Sequence, residues 1–215
     1  MNRLLLGVKF KIPSLCDPGF LDKLPGGIVG PQPPRAEPEP PTVSRDVGVD
    51  TNQLRLLRET FLQLSHAPNR QGAGLELEQL LTRLFGLFVL APEAAFRLQG
   101  EQIDGAFTLD AEPYLVEAKW TREPVQPGAL YTFMVKVEGK SHFTRGLFLS
   151  VNGFSADAVP ALLRGKTQRI LLMDGAHLHW VLDGEVALPD LIRRLMQRLA
   201  THGEPYWTVG DMSHG

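Results

Sequence analysis

The sequence is poor in the residues from which several common kinds of site are built. Its 215 residues include one cysteine, Cys16, so an intramolecular disulfide and a cysteine-based zinc site are both excluded. A reducing, cytoplasmic location is therefore the expectation. No apolar run approaches the roughly 20 residues that a membrane-spanning helix needs, so no membrane partner is expected. The short Leu4-Leu5-Leu6 patch is followed closely by Lys9 and Lys11, which makes a poor signal peptide. An excess of positive charge is also missing, because the formal net charge is -2. A surface that grips nucleic acid by broad electrostatics is usually basic. Contact with nucleic acid would have to come from a local patch, or through a cation that screens phosphate. There is no GxxxxGK[ST] phosphate loop: Leu163-Arg164-Gly165-Lys166-Thr167 keeps only the final Gly-Lys-Thr. No GxSxG nucleophile elbow and no internal repeat is present.

What remains is a chain that is 43% hydrophobic, enough for a sizeable core. Residues 1–50 differ from the rest. Nine prolines between Pro13 and Pro41 break any helical or strand pattern, and GPQPPRAEPEPPTV reads as an extended tail, either a leader or a docking segment for a partner protein. Patterning begins at Asp50, which with Thr51 can cap a helix through Leu54, Leu57, Phe61 and Leu64, ending near Pro68. A second helix is expected over 74–90, with Leu77, Leu80, Leu81, Leu84, Phe85 and Phe88 on one stripe. Strands follow at 95–98, 103–109 and 114–120. After them come a helix over 128–139, a strand over 146–151, a helix capped by Ser155, strands over 169–174 and 177–182, and a last helix over 189–200. The expected class is α/β, a central mixed β-sheet flanked by helices. The expected divisions are 1–50 as tail, 51–70 as helical lead-in, 71–202 as the main domain and 203–215 as a C-terminal tail.

Chemistry concentrates in QIDGAFTLDAEPYLVEAKW, residues 102–120. Two antiparallel strands joined by a turn centred on Asp110-Ala111 pair residue 104 with 117 and 102 with 119. Alternation then puts Ile103, Phe107, Val116, Ala118 and Trp120 on a core face. Asp104, Glu117 and Lys119 share the other. Like charges directly across a sheet destabilise it. A divalent cation would relieve the conflict, since hard oxygen ligands on two rigid strands suit Mg²⁺. Lys119 beside them can orient an attacking water or offset charge on a phosphorus centre. A solvated ion pair of Lys119 with either acid is the plainer alternative. On the preceding helix, Glu76 and Glu78 flank the apolar stripe on opposite sides, and periodicity does not choose between them.

Asp104 followed by Glu117-Ala118-Lys119 resembles the PD-(D/E)xK nuclease signature. Gly74-Leu75-Glu76-Leu77-Glu78-Gln79-Leu80-Leu81 is similar to the GxxFExLL opening helix of the Mrr-like restriction endonuclease family. GEQIDGAF and YLVEAKW look like that family's two catalytic strands, and TRGLFLSVNGF like its next core strand and turn. The resemblance covers roughly residues 72–182. It departs from the pattern at Ile103, where proline is common, and at Leu77, where an aromatic residue is common. It implies a restriction-endonuclease-like core, with Glu78 as the helix glutamate and Asp104 and Glu117 as metal-binding acids. Lys119 is the implied catalytic lysine, and the Ala118 backbone carbonyl a further metal ligand. The implied activity is Mg²⁺-dependent endonucleolytic hydrolysis of DNA, with Mn²⁺ as a substitute. The products implied are a 3′-hydroxyl and a 5′-phosphate, and the biology is restriction or phage defence.

Arg122, Lys136, Lys140 and Arg145, with His142, are candidates for a basic rim that holds the nucleic-acid backbone. For Lys136 a solvated helix face is the alternative, and for Arg145 a structural ion pair. His177 and His179 alternate on an expected strand without a third ligand, which favours surface histidines over a metal pair. RNA is left open as a substrate, and a homodimer is a further expectation. The rival reading is a catalytically inactive nuclease-fold module that binds nucleic acid or a partner protein.

Overall fold

The computed structural model describes residues 49–65, 70–98, 101–164 and 168–213. The proline-rich stretch, apart from Val49 and Asp50, lies outside the described residues. So do the expected end of the first helix near Pro68 and the Gly165-Lys166-Thr167 remnant.

Asp50 starts α1 (Thr51–Ser65) by accepting at Oδ1 from the amides of Asn52 and Gln53, 2.9 and 3.2 Å away. Two of the helix's orphan donors are thereby satisfied. α2 (Arg70–Leu87) buries Leu77, Leu80, Leu81, Leu84 and Phe85, the stripe its spacing predicts. The sheet order is β1 (Glu93–Leu98), β2 (Glu101–Leu109), β3 (Glu112–Lys119), β4 (Arg145–Ser150) and β5 (Ile170–Asp174). β1–β2 and β2–β3 are antiparallel, whereas β3–β4 and β4–β5 are parallel, so the sheet is mixed. Between them stand α3 (Pro127–Glu138) and the short α4 (Ala158–Leu162). α5 (Gly175–Leu182), α6 (Leu188–His202) and α7 (Val209–Met212) complete the chain.

Two cores lie on the two faces of this sheet. Phe107, Leu109, Tyr114, Val116, Ala118 and Trp120 join the apolar sides of α1, α2, α5 and α6. Leu115, Phe148, Ile170 and Leu172 join those of α3 and α4. α3 comes very close to β4 at Gly146, where an added Cβ would stand 2.7 Å from Phe133 and 2.8 Å from Val137.

The turn between β2 and β3 uses two non-glycine residues at positive φ, Asp110 at 52° and Ala111 at 64°. Positive φ at both positions is what a two-residue turn of type I′ needs. Arg193 of α6 holds the turn, meeting both Asp110 carboxylate oxygens at 2.8 and 2.9 Å. The resulting ladder pairs Gly105 with Val116 and Leu109 with Glu112, the register expected from a turn centred on 110–111.

Four expectations are corrected. Residues 177–182 are helical, not a strand. Asp174 caps α5 by accepting from the amides of Ala176 and His177, and Leu178, Val181 and Leu182 are buried at helical spacing. The alternation of His177 with His179 imitated a strand. His177 is fully buried rather than on a surface, with Nδ1 2.7 Å from Asp174 Oδ1 and Nε2 2.8 Å from the carbonyl of Trp207. Ser155 does not cap α4: the N-cap is Asp157, without a side-chain bond. Ile103 is buried with Leu115 and Phe133 on the α3 side, not with Phe107. β2 changes side across Asp104 and Gly105, where its pairing with β3 ends.

Within the stretch read as a C-terminal tail, the backbone carbonyl of Pro205 accepts from Leu172 N–H of β5 at 2.8 Å. Tyr206 O–H donates to Asp174 Oδ2, and Trp207 packs against the first core. Among the described residues no helix is long and apolar enough to cross a membrane.

Candidate active site

The β2–β3 ladder stops at Gly105–Val116, one pair short of Asp104 and Glu117. Past that point β3 continues as a partner of β4 up to Lys119–Ser150, while β2 stays with β1. The strands therefore splay. Asp104 bridges the opening with its side chain, accepting from Ala118 N–H at Oδ2 over 3.0 Å. In a strand, a residue's N–H and C=O project toward the same edge. The Ala118 carbonyl is thus directed into the same opening, whereas the Lys119 carbonyl accepts from Val151 N–H on the β4 side at 3.0 Å.

Asp104 and Glu117 are each only 7% exposed. Lys119 lies between them: its Nζ is 2.6 Å from Glu117 Oε1 and 3.7 Å from Asp104 Oδ2. The second Glu117 oxygen, Oε2, accepts from Lys136 Nζ of α3 at 2.7 Å. Lys136 also donates to the carbonyl of Gln102 on β2 at 2.9 Å. Glu78, half-buried on α2, is close enough for its carboxylate to feel Asp104, Lys119 and Glu117, while Glu76 is exposed.

The electrostatics follow from this placement. Burial pushes the Asp104 pKa up and the charge of Glu117 pushes it further, against the opposing bond from Ala118 N–H. Burial also raises Glu78, and Asp104 adds to the effect. For Lys119 burial acts downward, but the hydrogen bond and charge of Glu117, with Asp104 and Glu78, outweigh it and the pKa ends raised. Lys119 is consequently a persistent cation, suited to stabilising negative charge and not to accepting a proton.

Of the expected basic rim, Arg122 is exposed in the loop directly after Lys119, at the site end of the sheet. The backbone of that loop is held by Asn152, which donates to the carbonyls of Thr121 and Arg122, and by the pairing of Val125 with Phe154. Lys136 points inward onto Glu117 rather than forming an outer rim. Arg145 makes a two-pronged pair with Glu112 at 2.9 and 3.1 Å. It stands beside Tyr114, five residues or roughly 16 Å along β3 from Lys119. Lys140 and His142 belong to the segment leading into that same far end. The contact of Lys136 with Glu117 was missed because it joins residues 19 apart across two elements. Its one local signal is a lysine set between the buried Phe133 and Val137.

Comparison with known proteins bears on this arrangement. The family model described as restriction endonuclease, Mrr_cat, matches residues 73–182, about half of the chain. The chain belongs to that family. The match runs from the start of the α2 apolar stripe through β5 to the end of α5, so it spans Glu78, Asp104, Glu117 and Lys119. As an Mrr-type restriction endonuclease domain, the chain has a nuclease fold of DNA-acting proteins. Solved structures similar to it include the small subunit of the heterodimeric restriction endonuclease R.BspD6I, with 13% identity over 71% of this chain and 91% of that one, at a TM-score of 0.48. A protein of unknown function shares 20% identity over 59% of this chain and 77% of that one, at 0.41. The DNA modification-dependent restriction endonuclease AspBHI shares 13% over 69% of this chain and 40% of that one, at 0.40. Comparison with curated proteins gave no match.

Proposed function

We propose that this Mrr-type domain hydrolyses phosphodiester bonds in DNA with the help of a divalent cation, Mg²⁺ or Mn²⁺, in restriction of foreign DNA. The observation that carries the reading is the convergence of two buried carboxylates, Asp104 and Glu117, on one ammonium group. That is the environment a cation would neutralise, and Lys119 supplies a cation there.

The donor set fits Mg²⁺. Asp104, Glu117 and the Ala118 carbonyl are hard oxygen donors on two strands. Among the described residues no three of His, Cys, Asp and Glu cluster into a cage. Mg²⁺ usually binds through one or two carboxylates and keeps several waters, so a sparse set suits it. Glu78 would add negative charge from the α2 side. When bound, such a cation supplies Lewis-acid charge at a phosphate oxygen and acidifies water. Lys119, once displaced from between the acids, can donate to the phosphate or orient the attacking water. Asp104 stays oriented by Ala118 N–H. Arg122, beyond Lys119, is the basic side chain placed to meet the flanking backbone.

The test is cleavage of plasmid, linear and single-stranded DNA, with RNA as a further arm, in Mg²⁺, Mn²⁺ and EDTA. Cleavage that needs the cation and disappears in Asp104→Ala and Lys119→Ala supports the reading; cleavage that survives those changes overturns it. A second reading, a non-catalytic nuclease-fold module, is favoured by one observation. Both Glu117 oxygens already have ammonium partners. Calorimetry separates the two: Mg²⁺ binding at millimolar or tighter that is lost in Glu117→Ala belongs to the enzyme.

A further inference from the structure

The two lysines on Glu117 are not equivalent. Lys119 approaches Oε1, also faces Asp104, and keeps 35% of its side chain exposed. It occupies the space between the acids and is the more exposed of the two lysines. Lys136 approaches Oε2 from behind and has a side chain only 16% exposed. Its ammonium is tied at the same time to Gln102 O on β2. Its helix is locked against β4 by the close approach at Gly146. One ammonium can leave; the other is built in.

We propose that Lys136 is a positioning residue that leaves Glu117 a single usable oxygen and so sets the site's preference for Mg²⁺ over Ca²⁺. The inference rests on the metal-site reading above and deepens it. With Oε2 held by Lys136, displacement of Lys119 opens Oε1 alone toward Asp104. Mg²⁺ accepts carboxylates through single oxygens in a tight octahedron, whereas Ca²⁺ takes six to eight oxygens and readily binds carboxylates through both. Removing Lys136 frees Oε2 and lets Glu117 present both oxygens. It also removes a positive charge, which strengthens binding of any divalent cation. That electrostatic gain is shared by the two metals, so the ratio of their affinities isolates the effect of the second oxygen.

The experiment is calorimetric titration of the full chain with MgCl₂ and, separately, CaCl₂, for the unaltered protein, Lys136→Gln and Lys136→Arg. Lys136→Gln is expected to shift the affinity ratio toward Ca²⁺ by on the order of fivefold. Lys136→Arg, which keeps a cationic donor to Oε2, is expected to hold the original ratio. Equal changes in both affinities in Lys136→Gln overturn the proposal, and so does a Lys136→Arg ratio matching that of Lys136→Gln. If the unaltered protein binds neither cation, the metal-site reading itself falls, which is a separate and recognisable result. Should Lys136→Gln not fold, infrared difference spectra of the unaltered protein upon Mg²⁺ loading decide instead. The Glu117 bands, identified by their loss in Glu117→Gln, should show the wide stretch separation of one-oxygen coordination. A narrow, two-oxygen separation overturns the proposal.

Discussion

The side chain of Asp104 accepts from the backbone N–H of Ala118, filling a ladder position that the backbone of β2 has left. A carboxylate in that position holds the splayed strands together and is exposed to the charge of Glu117. Stability and chemistry therefore pull against each other at this residue.

Opposite stability effects are expected from the two isosteric changes. The raised pKa of Asp104 means its charged form is disfavoured in the folded protein, mainly through burial. Asp104→Asn should match or exceed the unaltered protein in melting temperature in EDTA, with cleavage abolished. Glu117→Gln leaves the largely buried Lys136 without its carboxylate and Lys119 with Asp104 alone, and should lose about 2–3 kcal/mol. Thermal melts of both in EDTA check the contrast.

Divalent cation should stabilise the fold by mass action. With Mg²⁺ at about ten times its dissociation constant, the gain is about 1.4 kcal/mol. For a domain of this size that is a rise of roughly 3–5 °C in melting temperature. The rise should vanish in Asp104→Asn, as read by melts with and without Mg²⁺.

Acid sensitivity should trace to Asp174. Burial opposes its charge, but hydrogen bonds from His177 and Tyr206 outweigh that and lower its pKa to about 2. A carboxylate depressed on folding contributes stability above its unfolded value near 3.8, and loses it as pH falls toward 2. The contribution at neutral pH is about 2 kcal/mol. Asp174→Asn should therefore be less stable than the unaltered protein at pH 7, with the gap closing near pH 2–3. Asp104 and Glu78 act in the other direction, since their raised values make protonation on acidification favourable to the fold. Denaturant titrations across pH measure the sum, and the Asp174 variant isolates one part.

The hairpin turn carries a correctable strain. Ala111 sits at φ 64°, a region that glycine enters freely. Ala111→Gly should stabilise by about 1 kcal/mol or less, after the added entropy of the unfolded chain is subtracted. A melt that shows clear destabilisation would contradict this reading of the turn.

Much of the local pattern around these residues is legible in the sequence. The register of β2 against β3 follows from one turn centre and a period of two as far as Gly105–Val116, but the expected pairings of 104 with 117 and 102 with 119 lie past the end of the ladder, where the strands part. The stripe of α2 was equally plain, because five leucine and phenylalanine side chains repeat at helical spacing. What local pattern could not supply was direction. Nothing near Ile103 announces that β2 changes side, and nothing near Lys136 announces that it turns toward a glutamate on another element. Residues 177–182 misled for a different reason. Two histidines in alternation imitate a strand, while the decisive cap comes from Asp174, a residue already assigned to the preceding strand. For Arg145 it is the structural ion pair that the structure shows, with Glu112 at the start of β3, because β4 runs parallel to β3 and its first residue falls at the end of the sheet away from Lys119.

The carbonyl of Pro205 on Leu172 has a consequence for assembly. β5 is the last strand of the sheet, and a free strand margin invites pairing with another chain. Here the segment after α6 crosses that margin, and Tyr206 and Trp207 fasten it to Asp174 and His177. The middle of that margin, at Leu172, is thus occupied by residues 205–207. Removing the residues from Pro205 onward should unseal that margin of β5 and increase self-association, as read by light scattering.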